Sequence, residues 1–267
     1  SRPKRVPVLG TELAGVVEAV GEESDRFTIG DRVVVSTGVR FGAYAEYVCI
    51  PDNYVMTTIP DHVSFETAAT LPIGGLNALH FIRKAQLTQG SRIVIYGASG
   101  SIGTYAIQLA KAEGAEVTAV GNPESIDVMK ALGADHALDY TKEDFTEGRV
   151  TYDAIFDVVG KCPFAAAFKT LKDNGIYLLG NPRWPLLLRG FISSVANNRR
   201  VVYDLLNEKS ADLTYLADRL ADGSLSAPID RTYALEQTAE AHRYVEQGYK
   251  TGHVIINVSH HLPTTDN

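Results

Sequence analysis

A glycine-rich turn between an apolar strand pattern and a long helix pattern constrains the fold of this chain more than any other sequence feature. The apolar run 93–96 leads directly into Gly97, and Gly100 and Gly103 follow at intervals of three residues. Beyond Gly103 the helical pattern continues to Ala112 without another glycine or proline. Such a turn presents backbone N–H groups at the positive end of a helix, where a pyrophosphate binds. The sequence therefore predicts a dinucleotide-binding α/β fold.

The chain after residue 90 alternates between strand and helix patterns, which is typical of a parallel sheet covered by helices on both faces. Short β-branched runs predict the strands, and apolar positions three or four residues apart predict the helices. The predicted strands cover residues 93–96, 117–120, 154–159, 176–179 and 253–258. The predicted helices cover residues 102–112, 125–132, 163–171, 213–220 and 239–247. Residues 182–206 receive no assignment.

The first 60 residues carry a different pattern, in which short apolar runs are separated by glycine and proline. The runs 13–20, 33–35 and 43–50 each lie within three residues of a glycine or proline. This pattern predicts a small, twisted antiparallel β domain. Ser64 then marks the start of a short helix, and residues 76–85 carry the apolar stripe of a second one.

Charge and composition exclude several classes of protein. Acidic residues outnumber basic ones by 32 to 25, and the net charge of −7 argues against nucleic acid or an anionic membrane as a partner. No stretch approaches the ~20 apolar residues that span a bilayer. Two cysteines, Cys49 and Cys162, cannot form a disulfide framework, so we expect a cytoplasmic protein.

The end of the second predicted strand decides which dinucleotide binds, because a carboxylate there holds the ribose 2′-hydroxyl of NAD. Gly121 occupies that position in this chain. We expect Gly121 to leave room for a 2′-phosphate, and Asn122 and Ser125 to donate hydrogen bonds to it. The sequence thus favours NADP(H), although Glu124 offers an alternative carboxylate for NAD(H).

Seven short motifs span nearly the whole chain. They are GTELAGVV at 10–17, GDRV at 30–33, GAYAEY at 42–47, LP with GLNAL at 71–79, GASGSIG at 97–103, LGADH at 132–136 and GHVI at 252–255. In content and order they resemble the medium-chain dehydrogenase/reductase superfamily, on its quinone oxidoreductase side.

The resemblance implies a Rossmann doubly wound parallel sheet inserted into a GroES-like β domain. Residues 1–74 and 234–267 would form the GroES-like domain, and residues 75–233 the dinucleotide-binding domain. Members of the superfamily carry further strands ahead of residue 7, so the N-terminal part of the GroES-like domain is expected to be missing here.

This sequence lacks the residues that bind zinc in zinc-dependent members of the superfamily. Thr11 stands where zinc-dependent members have a histidine, and residues 72–74 replace their catalytic cysteine. The four-cysteine structural lobe would need more cysteines than the chain has. We therefore expect no metal, and we expect Cys49 to be a small core residue.

The resemblance also implies the residues that contact the cofactor. Asn77, Val159 and Gly180 would lie against the nicotinamide, and Tyr140 near the adenosine phosphate. The full expected set is Asn77, Gly97, Ser99, Gly100, Ser101, Ile102, Gly103, Gly121, Asn122, Ser125, Tyr140, Val159, Gly180, Lys250, Gly252 and His253. No catalytic residue is identified; Tyr44 is a weak candidate on the substrate side, and its pattern fits a half-buried strand equally well.

The resulting hypothesis is an NADPH-dependent oxidoreductase that transfers hydride to a quinone, an enone or another carbonyl compound without zinc. The apolar residues 184–191 suggest a hydrophobic small-molecule substrate, or equally an interface, since a homodimer is expected from the resemblance. The alternatives are a relative of the zinc-type alcohol dehydrogenases and a non-catalytic NADPH-binding scaffold.

Overall fold

Three short antiparallel strands form a small sheet in the N-terminal part of the chain. The computed structural model describes residues 8–181, 198–204 and 206–258. The strands are β1 (Glu12–Val16), β2 (Arg32–Ser36) and β3 (Val55–Thr58), in the order β1-β2-β3. Both pairs of neighbours are antiparallel, as the sequence predicts.

Two helices follow the small sheet. Helix α1 (Phe65–Ala68) begins after Ser64, whose hydroxyl accepts a hydrogen bond from the Thr67 N–H at 3.1 Å. This is the N-terminal cap that the sequence indicates. A π-helical turn (Leu71–Gly75) then leads into helix α2 (Leu76–Ala85).

Six parallel strands form the main sheet. They are β4 (Arg92–Tyr96), β5 (Glu116–Gly121), β6 (His136–Asp139), β7 (Tyr152–Asp157), β8 (Leu171–Leu179) and β9 (Arg200–Tyr203). Their order is β6-β5-β4-β7-β8-β9. The strand order reverses between β4 and β7, so a crevice opens at the carboxyl ends of those two strands, where ligands bind in open α/β sheets. The predicted doubly wound sheet is confirmed.

Helices pack on both faces of the main sheet. They are α3 (Ser101–Ala112), α4 (Ile126–Ala131), α5 (Phe164–Lys169) and α6 (Ser210–Ala221). Ile93 and Ile95 are fully buried in the core cluster that includes α2, α3 and α6, whereas Val94 is buried in the opposite cluster with α5. Successive strand residues thus point to opposite, equally apolar faces.

Helix α6 joins the main sheet to the small N-terminal sheet. Leu213 and Leu216 are completely buried in the larger core cluster. On another side of the helix, the hydroxyls of Thr214 and Thr57 are 2.8 Å apart, and the Met56 N–H donates to Ser210 Oγ at 3.3 Å. The small sheet is therefore held against the main one by packing and by hydrogen bonds.

Two parallel strands and a helix follow α6. They are β10 (Ile229–Ala234), α7 (Thr238–Glu246) and β11 (His253–Asn257). Helix α7 and strand β11 lie within a residue or two of their predicted bounds. Strand β10 was not predicted, because only Tyr233 among its residues is buried and its sequence alternates weakly.

The strand expected over residues 43–50 is not formed, so that prediction is wrong. Phe41 and Gly42 both have positive φ angles, 60° and 102°, which turn the chain sharply. Beyond them, the backbone bonds to the described part of the preceding segment come from the N–H groups of Ala43 and Tyr44. This apolar run is a loop with no continuous strand partner among residues 8–181, 198–204 and 206–258.

Three further expectations concern single features. Cys49 is exposed, so its assignment to the core is wrong, whereas Cys162 is buried. The apolar run 184–191 lies outside the described residues. Among the helices of the described part, none has the length and apolar character needed to cross a membrane.

Candidate functional site

The glycine-rich turn lies at the reversal of strand order, between β4 and α3. Gly97 has a φ of +88°, and a Cβ there would approach Val159 Cγ1 to 2.9 Å. A Cβ on Gly103 would lie 2.4 Å from the Gly97 carbonyl oxygen and 2.5 Å from Ala98 Cα. The glycine at 103 thus lets α3 start directly against the turn, as predicted.

The N-terminus of α3 is open to a ligand. Gly100 is the residue before the helix and offers no capping side chain, and the first turn contains no acidic residue. The first N–H groups of a helix lack partners within the helix, so they and the helix dipole attract an anion.

A buried ammonium group lies at the same helix end. Lys250 Nζ donates to Ser101 Oγ at 2.8 Å and to the Gly252 carbonyl at 2.5 Å. A cation at the positive end of a helix is unfavourable unless an anion lies beside it. Burial lowers the pKa of Lys250 below its ordinary value, while Asp230 and Glu12 act in the opposite direction. The turn and this lysine together fit the pyrophosphate of a dinucleotide.

The segment 249–252 runs across the carboxyl ends of the main sheet. Gly252 N–H donates to the Ser99 carbonyl at 2.7 Å, and Ser101 Oγ donates to the Gly252 carbonyl at 3.0 Å. At the other end of the segment, the Asn122 side-chain amide donates to the Tyr249 carbonyl at 3.0 Å. The structure therefore brings Lys250 and Gly252 to the turn, as the resemblance implies.

The residues expected at the nicotinamide lie on neighbouring elements. Val159 packs against Gly97, and Gly180 N–H donates to the Asp157 carbonyl at 2.9 Å beyond the ends of β7 and β8. Asn77, in α2, donates to the Ile73 carbonyl at 2.8 Å.

The surroundings of Gly121 differ from those predicted for a 2′-phosphate site. A Cβ on Gly121 would lie 2.9 Å from both Met129 Sδ and Ser125 Oγ, so protein atoms fill the space beside Gly121. Ser125 Oγ donates to the Asn122 carbonyl at 2.8 Å, and the amide of Asn122 is bonded to Tyr249. The predicted donors are therefore buried and already engaged. Gly121 lacks a side chain because Met129 packs there, not because a pocket opens.

Two exposed side chains lie close to this region, at the end of the next strand. Tyr140 follows β6, its N–H donates to the Gly121 carbonyl at 3.2 Å, and 49% of its surface is exposed. The Lys142 side chain is 75% exposed, with its ammonium 3.3 Å from Asp139. Both lie at the edge of the sheet where the adenosine end of a dinucleotide binds.

His253 is buried behind the turn rather than exposed beside it. Its ring packs edge to face with Tyr105 at 5.5 Å and lies against Gly74. Burial and the charge of Lys250 lower the pKa of His253 to about 3, so the ring is neutral at physiological pH. The His253 side chain is packed against Tyr105 inside the protein, so it is not exposed where a contact with the cofactor was expected.

Sequence reasoning missed Glu12, which lies next to these groups. Glu12 Oε2 accepts a hydrogen bond from the Ile73 N–H at 2.9 Å. Burial raises the pKa of Glu12 to about 7, while the Ile73 N–H and Lys250 act to lower it. The signal that could have found it was an acidic residue at the start of an apolar strand, followed directly by Leu13 and Ala14.

Tyr44, the weak candidate for a substrate contact, lies on the loop beside β1. Its N–H donates to the Leu9 carbonyl at 2.9 Å, and its ring lies 5.8 Å from that of His242. Burial raises the pKa of Tyr44, and the nearby Glu12 adds to this effect, so the hydroxyl keeps its proton.

The described residues contain no group of three or more His, Cys, Asp or Glu side chains that could hold a metal ion. Thr11 stands beside Glu12 in the position where zinc-dependent members of the superfamily carry a histidine. Among the described residues, the groups close to Glu12 include the Lys250 ammonium and the hydroxyls of Tyr44 and Tyr105, which are poor ligands for tetrahedral zinc.

The sequence matches two known protein families over separate regions. Residues 132–256 match the family described as zinc-binding dehydrogenase. Residues 1–61 match the alcohol dehydrogenase GroES-like domain.

Individual relatives are similar over nearly the whole chain. A zinc-type alcohol dehydrogenase-like protein of Schizosaccharomyces pombe is 32% identical over 271 residues, covering 92% of this chain and 76% of the relative. A chloroplastic NADPH-dependent alkenal/one oxidoreductase of Arabidopsis thaliana is 29% identical, covering 93% of this chain and 63% of the relative. The solved quinone oxidoreductase of Coxiella burnetii matches with a TM-score of 0.86 and 29% identity, covering 93% of this chain and 79% of that one.

Proposed function

The chain belongs to the medium-chain dehydrogenase/reductase superfamily and is an NAD(P)H-dependent oxidoreductase, and from that premise we propose that it reduces a quinone, an enone or another carbonyl compound with NADPH and without zinc. The observation that carries this proposal is the uncapped N-terminus of α3 with the ammonium of Lys250 beside it. This pair of features suits a pyrophosphate and leaves the carboxyl ends of β7 and β8 for the nicotinamide.

The proposal also assigns a role to each part of the chain. Residues 75–233 would bind the dinucleotide, and residues 1–74 with 234–267 would form the GroES-like wall of the cleft. The bound dinucleotide supplies a hydride, which is two electrons and one hydrogen nucleus. The protein binds and orients the reactants, and proximity supplies much of the rate when they are held in contact.

The preference for NADPH rests on different residues from those that the sequence indicates. Strand β5 ends at Gly121 rather than at a carboxylate, with Glu124 three residues further on. Lys142 and Tyr140 offer an exposed cation and an aromatic ring at the end of β6. The similarity to an NADPH-dependent relative supports the same choice.

Lys142→Gln should weaken NADPH binding and leave NADH binding unchanged in fluorescence titrations. The control Lys169→Gln, on the exposed side of α5, should change neither.

The substrate class follows from the similarity to quinone and alkenal oxidoreductases. The Tyr44 hydroxyl, protonated near neutral pH, is proposed to donate a hydrogen bond to the substrate oxygen. The homodimer stays a prediction; β9 forms the outer edge of the described sheet and offers a strand edge for it.

The test is NADPH oxidation with a panel of quinones, enones and aldehydes, repeated after treatment with a zinc chelator. We expect turnover of at least one quinone or enone, slower turnover with NADH, and no effect of the chelator on the rate or on the melting temperature. Loss of activity on chelation would favour the zinc-type alternative. NADPH binding without turnover of any acceptor would favour a non-catalytic scaffold.

A further inference from the structure

Glu12 lies where the separate segments of the cleft meet. It is in β1, its carboxylate bonds to the π-helical turn before α2, and Lys250 of the C-terminal segment is close enough to affect its pKa. The side chain keeps some contact with solvent although protein surrounds most of it. Glu12 is thus a mostly enclosed group where three segments of the chain meet, and no motif of the dinucleotide site accounts for it.

We propose that Glu12 is the acid that donates the proton consumed in the reduction, an inference that rests on the function proposed above. The backbone of Ile73 lies between Glu12 and Asn77, because the Ile73 N–H donates to Glu12 and the Ile73 carbonyl accepts from Asn77. The carboxyl group thus has a fixed position relative to Asn77, which is proposed to lie against the nicotinamide.

The proton balance of the reduction requires such a group. The dinucleotide supplies the hydride, and one further proton must reach the oxygen of a carbonyl or quinone, or the carbon next to the carbonyl of an enone. Glu12 breaks its O–H bond as the new bond to the substrate forms, and the carboxylate left behind regains a proton from solvent after product release.

The surroundings of Glu12 suit both of its protonation states. Its pKa of about 7 means that both forms are populated near neutral pH, where a general acid works best. The charged groups that face it are Lys250, which favours the carboxylate, and Glu208, which favours the acid. Tyr44 and Tyr105 also face it, and both keep their protons because burial raises their pKa values.

A purely structural role for Glu12 is the competing explanation, because the carboxylate also binds the Ile73 N–H. Glu12→Gln separates the two roles. The amide oxygen still accepts from Ile73, and the neutral side chain resembles the protonated acid, so the variant should fold as the wild type does. It cannot release a proton. Glu22→Gln, in the exposed turn after β1, removes the same charge at an unrelated position and serves as the control.

The first measurement needs neither cofactor nor substrate. In protein labelled with ¹³C-glutamate, the side-chain carboxyl signal absent from Glu12→Gln should titrate with a midpoint near pH 7. The same signal should persist in Glu22→Gln. A midpoint near the ordinary value of 4.5 would overturn the proposal, because Glu12 would then hold no proton at neutral pH.

The second measurement is the pH dependence of kcat with saturating NADPH and an accepted substrate. Glu12→Gln should lower kcat about 100-fold, the usual contribution of a general acid, and should remove the fall in kcat above neutral pH. NADPH affinity should stay within threefold of the wild type.

Wild-type kcat with an unchanged pH profile in Glu12→Gln would refute the role of Glu12 and leave the function intact. A wild-type protein that neither binds NADPH nor oxidises it would refute the function, and the titration of Glu12 would still stand as a separate result.

Discussion

At the scale of single residues, burial shifts the pKa values of Glu12 and His253 in opposite directions. Burial raises the pKa of Glu12 to about 7 and lowers that of His253 to about 3. Both shifts favour the neutral form, because burial penalises a charge whatever its sign. Together they leave Lys250 as the cation next to the turn, which suits an anionic ligand.

These shifts predict how the stability of the unliganded protein depends on pH. The contribution of Glu12 is fully present below its unfolded pKa of about 4.5 and is lost as the pH rises through about 7. His253 acts in the opposite sense, because its contribution is present above about 6.5 and is lost as the pH falls toward 3. A comparison of wild type with Glu12→Gln, which share His253, isolates the first effect.

Urea unfolding at pH 5 and pH 8 measures this effect directly. The free energy of unfolding of the wild type, relative to that of Glu12→Gln, should be lower at pH 8 than at pH 5. Parallel pH dependences in the two proteins would contradict the raised pKa of Glu12.

Some site residues were predictable from local sequence and others were not. The roles of Gly97 and Gly103 follow from glycine spacing within one turn, and the structure agrees with them. The environment of Asn122 depends on the Tyr249 carbonyl, which is 127 positions away in sequence. No local pattern reveals that such a donor is already engaged.

At the scale of elements, the contact between α3 and the turn fixes the geometry of the phosphate site. Alanine is favoured over glycine by about 1 kcal/mol in a helix interior, so propensity alone predicts that Gly103→Ala is stabilising. The new Cβ would instead lie 2.4 Å from a backbone oxygen that cannot move aside. We expect Gly103→Ala to destabilise the fold by about 1–3 kcal/mol and to weaken NADPH binding.

Urea unfolding of Gly103→Ala tests this expectation against Gly15→Ala. Gly15 lies in β1, and a Cβ added there would have no neighbouring atom within 4 Å, so its replacement should have little effect. A stabilised Gly103→Ala protein would show that the helix does not need its close approach to the turn.

Four strands of the main sheet, β4, β5, β7 and β8, were predictable because each is buried on a run of apolar residues. Strands β6 and β9 were not predicted, because they are short and only partly buried. The wrong or missing predictions of strands occur where the residues are only partly buried. The run 43–50 has strand-like composition but no partner strand in the part of the chain that the structure describes, and β10 has a partner but few apolar residues. In both places tertiary context, which the local sequence does not carry, decides the outcome.

At the scale of the whole molecule, the site is assembled from parts that are far apart in the chain. The turn at 97–103, Glu12 near one end and Lys250 near the other come together at one edge of the main sheet. The family resemblance implied that Lys250 lies near the turn, but it did not identify Glu12, and the spacing of residues indicates neither. A ligand that bridges the turn and the C-terminal segment should therefore stabilise the entire fold.

The most direct test of the central claim is the stabilisation of the protein by NADPH in Gly100→Asp. Gly100 precedes α3 with extended backbone angles, and the nearest atom to a Cβ there is 3.6 Å away, so aspartate can cap the helix without strain. The added carboxylate would occupy the place of the pyrophosphate and repel it. Gly148→Asp, which adds the same charge in an exposed loop, is the control.

In wild type and in Gly148→Asp, NADPH at 100 times its Kd should raise the free energy of unfolding by about 2.7 kcal/mol. In Gly100→Asp at the same concentration the stabilisation should vanish, while the stability of the unliganded protein stays near that of the wild type. An undiminished stabilisation by NADPH in Gly100→Asp would mean that the cofactor does not bind at this turn.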